Sequence, residues 1–250
     1  MSRIEQPQGA RGSLKWIQRA CNESWPEFER SILAQLTGAQ CIDWRSPLKS
    51  DGYAEYRDAD FLDQVGLSHL AGDLHAYWPA RGPQWDALGR TDRNDVLLVE
   101  AKAHIGEMCS PATAAGPRSR QLIEQRLDEV AGRLGAREGH APWAGHFYQL
   151  GNRLAHLAFL RDRNVPAYLV LVNFLNDTDM KGPTTAEVWQ AAYEVAFHVM
   201  GLGRRHDLSR YVLEVFPDVV VRQQTLVAHL SLETQSATQI SNNAADTISK

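Results

Sequence analysis

The chain has 250 residues, 44% hydrophobic and 22% charged, which is enough apolar material for a buried core. No segment approaches the roughly 18 consecutive apolar residues of a membrane span, and the N-terminal MSRIEQPQGARGS lacks the apolar centre of a signal peptide, so a cytoplasmic protein without a membrane partner is expected. A charge of −4 and a pI near 6.1 exclude a strongly basic chain, and Cys21, Cys41 and Cys109, in no CxxC pair, point to buried thiols rather than disulfides or a zinc site.

Residues 1–12 are polar and expected to be loose, residues 13–230 to form one domain, and residues 231–250, rich in Ser, Thr, Asn and Gln, to form a disordered tail. Ser13 is placed to cap a first helix carrying Leu14, Ile17 and Cys21 and ending near Glu23. Ser24 and Glu27 have capping-box spacing for a second helix with Phe28, Ile32, Leu33 and Leu36 on its apolar face. SPLKSDGY is a loop, and residues 53–67 read as a polar helix anchored by Tyr56, Phe61, Leu62 and Val65. Strands are expected at Leu74–Trp78, Gln84–Gly89 and Asp95–His104. Residues 107–118 read as a loop, followed by amphipathic helices over Ser119–Leu134 and Trp143–Arg161. Ala167–Leu175 is a buried strand, parallel to its neighbour if the helical layer makes a crossover. Thr184 and Glu187 open a helix reaching Met200, and Tyr211–Phe216 is the last strand.

Basic residues gather at 118–137, 153–163 and 204–210. They allow a basic surface on a net-acidic molecule, although a solvated helix face explains each group more simply.

The stretch with the most chemistry is VLLVEAKAH. Its apolar run belongs deep in a sheet yet ends in Glu100 and Lys102, charges that cost several kcal/mol to bury unless paired or metal-bound. A hairpin turning at Arg93 sets Asp86 directly across from Glu100, with Cβ atoms about 5 Å apart, and period two puts Lys102 on the same face. Two carboxylates and an ammonium then converge, an arrangement suited to a hard divalent cation. The plainer alternative is an ion pair between Glu100 and Lys102 at a strand end, with Asp86 in a turn.

Asp86 in PQWDALG, followed by Glu100-Ala101-Lys102, resembles the signature of the PD-(D/E)xK nucleases, and the order helix, three strands, helix, strand over residues 14–175 fits as well. The motif's proline is displaced to Pro83, with Trp85 adjacent to the aspartate. The resemblance implies an α/β restriction-endonuclease-like core, a central mixed β-sheet flanked by helices, with additional N- and C-terminal helices. It also implies Mg²⁺, for which Mn²⁺ can substitute, held by Asp86, Glu100 and the Ala101 carbonyl, with Lys102 steadying the attacking water and the phosphate. By the same resemblance Glu23 supplies a further acid, with Glu55 as competitor, and Gln149 a helix-borne site residue. The expected partner is nucleic acid, DNA first, in restriction, repair or defence; a homodimer is left open.

Other residues are assigned less. His104 borders the site or simply ends the strand, Glu107 is a loop acid, and His140 and His146 lack zinc-ligand spacing. Trp78, Trp85 and Trp143 suit the core better than base stacking, and Gln149, Asn152 and Arg153 share a helix that can approach phosphate. Two rival functions are a non-catalytic binding module that keeps the fold, and a retaining glycosidase using Asp86 and Glu100.

Overall fold

The computed structural model describes residues 2–203 and 205–225. In chain order its elements are β1 (Arg3–Ile4), α1 (Gly12–Asn22), α2 (Pro26–Leu33), β2 (Ile42–Ser46), β3 (Glu55–Tyr56), α3 (Asp58–Gln64), α4 (Ala71–Tyr77), β4 (Ala87–Thr91), β5 (Val96–Lys102), α5 (Pro117–Arg133), α6 (Tyr148–Arg161), β6 (Ala167–Asn173), α7 (Ala186–Val199) and β7 (Val212–Val215). Residues 219–225 are again helical. The fold is α/β, with a five-stranded mixed sheet in the order β2-β4-β5-β6-β7 flanked by helices. The first two pairings are antiparallel and the last two parallel, so α5 and α6 form the expected crossover from β5 to β6.

Strand periodicity divides the core. Val96 and Leu98 of β5 join Phe61, Leu127, Leu154 and Trp189 on one face, while Leu97, Val99 and Ala101 join Trp16, Trp25 and Phe28 beneath α1 and α2. Buried on both sides, β5 is the unbroken apolar run that a central strand requires.

Several sequence expectations are overturned. Leu74–Trp78 is not a strand but lies mostly in α4, because Leu70, Leu74 and Trp78 recur every four residues and all are buried, a stripe too sparse to be seen in a five-residue window. The outer strand is instead Ile42–Ser46, whose alternation of exposed and buried residues at 43–46 marks an edge. Gln84–Gly89 is a strand only from Ala87, and the helix proposed for 53–67 is split into β3 and α3. Trp143 precedes α6 rather than starting it; buried, it donates from its indole to the Met200 carbonyl.

Neither capping box forms, since the N-caps are Trp25 and Thr185, and Ser13 lies inside α1. The N-terminus is not loose: β1 pairs with β3, Arg3 binds Asp51, and Gln18 holds the Gly9 amide and the Pro7 carbonyl. Of the cysteines only Cys21 is buried; Cys41 and Cys109 are exposed. No described helix is long and apolar enough to cross a membrane. The tail from Ser231 lies outside the described residues.

Candidate active site

The β4–β5 hairpin has the expected register. Ala87 faces Val99 and Arg90 faces Val96, so the next step outward sets Asp86 against Glu100. Beyond the end of β4 the Asp86 carboxylate takes the place of a strand partner: its Oδ2 accepts the Ala101 N–H at 2.7 Å. A strand residue points its N–H and C=O to the same side, so the Ala101 carbonyl also faces this edge.

Glu100 and Lys102 continue the Val96–Leu98 face and therefore meet α6. Both are buried, with Glu100 2% and Lys102 6% exposed. Lys102 Nζ donates to Glu100 Oε1 and to Gln149 Oε1, each at 2.8 Å. The other Glu100 oxygen accepts Arg153 Nε at 2.7 Å, and Arg153 also donates through Nη2 to the Gln84 carbonyl at 2.6 Å and lies over the Trp85 ring. The ion pair of the plainer reading is thus present, but Asp86 is not in a remote turn.

Glu55, one of two sequence candidates for the further acid, lines the same cleft and is bound by the Gln6 and Gln84 side-chain amides. Glu23 does not. It ends α1 and pairs with Arg19 and Arg222, so the assignment to Glu23 is corrected in favour of Glu55, which β3 of the small β1–β3 sheet carries into the cleft. Gln149 is in place. Arg153 follows it by one helical turn, a spacing that puts both on one face and could have flagged it as a partner of Glu100. Glu107 caps the strand end, accepting the Ala103 N–H at 2.6 Å and the Ser13 hydroxyl at 3.3 Å, with His104 Nε2 at 3.6 Å. Trp78, Trp85 and Trp143 are core residues, all below 4% exposed.

These groups border a cleft of about 600 Å³. Its carboxyls do not titrate alike. Burial and then the Arg153 and Lys102 charges act on Glu100 in opposite directions; the cations win and hold its pKa below the usual value. Asp86 is half-buried as a residue, yet desolvation of its carboxyl, with the charges of Glu100 and Glu55, pushes its pKa well up. Burial raises Glu55 from 4.5 to about 7 despite its amide partners.

Among the described residues no group of three or more His, Cys, Asp and Glu side chains is arranged to hold a metal ion. Mg²⁺ does not require one, since it keeps several waters and is commonly held by one or two carboxylates plus substrate phosphate. The donor set of Asp86, Glu100 and the Ala101 carbonyl is all hard oxygen, and burial with the Glu100 and Glu55 charges raises the Asp86 carboxyl despite Arg153, a load that a further cation would offset, so the residues fit such an ion. Compared with protein-family models, curated proteins and solved structures, the chain matches none.

Proposed function

We propose that the protein is a Mg²⁺-dependent nuclease of the PD-(D/E)xK type, with a restriction-endonuclease-like core, hydrolysing phosphodiester bonds of DNA. The observation that carries this reading is the convergence of Asp86, Glu100 and Lys102 at the C-terminal end of β5, inside a cleft. Asp86, Glu100 and the Ala101 carbonyl would hold the ion, which when bound supplies Lewis-acid polarisation of the phosphate and a more acidic water. Lys102 has two of its three donors committed to Glu100 and Gln149, leaving one to aim at a phosphate oxygen as negative charge builds there. Gln149 holds the ammonium in place, and Arg153 fixes Glu100 relative to the 84–86 segment.

The expected result is Mg²⁺- or Mn²⁺-dependent cleavage of DNA that Lys102→Ala abolishes while circular dichroism shows the fold retained at some cost in melting temperature, because Glu100 keeps Arg153 but loses a buried partner. Cleavage by Lys102→Ala at the parent's rate would refute the assignment. A second reading, a non-catalytic module, is favoured by one observation: both Glu100 oxygens already have cationic partners. It predicts no calorimetric Mg²⁺ binding, whereas the nuclease reading predicts binding that Asp86→Asn removes.

A further inference from the structure

Next to the catalytic cleft lies a second cavity of about 520 Å³, lined by Pro79, Ala80, Ala114, Ala115, Gly116 and Ile123 among others. The two share Arg81 and Tyr148, so they meet at those side chains. Arg81 is exposed and held in an unusual way: its φ is +68°, the left-handed region that L residues avoid by roughly 1–2 kcal/mol. Asp58 holds that turn, accepting the N–H groups of Arg81 at 3.1 Å and Gly82 at 2.8 Å. Among the described residues the Arg81 guanidinium has no ion pair or hydrogen bond, and the Tyr148 ring and hydroxyl have no aromatic or hydrogen-bond partner. Tyr148 directly precedes Gln149, the Lys102 partner, on α6.

An unpaired cation on a held backbone turn, a tyrosine that packs on the core with one side and lines both cavities with the rest, and a small-residue apolar groove suit one nucleotide with its base out of a duplex, since every base has a stacking face and one phosphate needs one guanidinium. A surface tracking duplex DNA needs many unpaired cations. In the basic stretches Arg120, Arg126, Arg133 and Arg163 are paired with Glu124, Glu129, Asp162 and Asp73, and Arg118, Arg137, Arg161, Arg205 and Arg210, which make no ion pair among the described residues, line neither the cleft nor the groove.

Resting on the phosphodiesterase reading, we infer that the substrate is an unpaired nucleic-acid strand: Arg81 pairs with the phosphate beside the scissile one, and Tyr148 stacks on the base lodged in the adjoining groove. The test is fluorescence anisotropy of a short labelled oligonucleotide, single-stranded or as its blunt duplex, in metal-free buffer over a range of salt. The parent should prefer the single strand. Arg81→Gln should weaken single-strand binding and make the slope of log affinity against log salt shallower by about 0.7, the loss of one phosphate contact. Tyr148→Leu should weaken binding about tenfold with an unchanged slope. Parent preference for duplex, or parent-like binding by folded Arg81→Gln, overturns the inference; if the parent still cleaves DNA in that case, the phosphodiesterase reading survives. A parent that neither binds nor cleaves either form overturns both.

Discussion

Glu100 is the residue on which the site depends, because a carboxylate almost removed from water is tenable only with partners. It has two of unlike kind. Lys102 is a point charge with a donor to spare, whereas Arg153 reaches three groups at once, the Glu100 carboxylate, the Gln84 carbonyl and the Asn152 side-chain oxygen. Arg153→Ala should therefore lower unfolding free energy by on the order of 3 kcal/mol in urea titrations near neutral pH. Arg153→Lys should recover little, since one ammonium cannot reproduce the fork over Trp85. Stability equal to the parent in both variants would show that the pair contributes nothing. At this scale the convergence of Asp86, Glu100 and Lys102 was legible, because strand periodicity fixes which side chains share a face, whereas Gln149 was named only through the family resemblance. The role of Arg153 was not legible, because basic residues on a helix face are usually solvated.

At the scale of elements, the hairpin sets the spacing of the two carboxylates, and its turn sets the hairpin. Thr91 Oγ1 accepts the N–H groups of Arg93 and Asp95, and Asn94 takes a left-handed φ of +67°. Asn94→Gly should fold as well as the parent, while Asn94→Val should cost about 1–2 kcal/mol and reduce Mg²⁺-dependent cleavage as the register loosens. Urea midpoints and cleavage rates check both; a Val variant as stable as the parent would show that the turn does not fix the register. The hairpin and the parallel β6 could be anticipated because each is a long run with one reading. The outer strand was expected at Leu74–Trp78 because five residues are too few to show a helical period, and only packing showed that Leu74 belongs to a helical stripe while Trp44 lies against Gly89 in the sheet.

For the whole molecule, the cleft gathers more acid than its cations neutralise, and this sets a pH dependence of folding. Glu55 keeps its proton up to about 7 in the folded protein, against an ordinary value of 4.5. Between those values the folded state binds more protons than the unfolded one, so stability falls as pH rises through the window, by up to an order of 3 kcal/mol. Asp86, also raised, acts in the same direction, whereas the lowered Glu100 removes stability only in more acidic solution. Metal-free protein should melt at a lower temperature near pH 7 than near pH 5. Glu55→Gln should flatten that trend, and Mg²⁺ should offset it at the alkaline end by binding the ionised carboxylates. A melting temperature that is flat or rises across the window would contradict the description of the cleft.

By itself the sequence determined the identity of the central strands, the facing of Asp86 and Glu100, and the parallel crossover that follows, because these rest on chain-local periodicity and on a hairpin joining neighbours. Only the tertiary structure decided which distant residues complete the cleft. Glu55 rather than Glu23 enters it, the N-terminal Gln6 reaches over to hold Glu55, and Arg133 and Arg163 pair with Asp162 and Asp73 from other elements. Burial and pairing are properties of what packs against a residue, and the linear order of the chain does not record them.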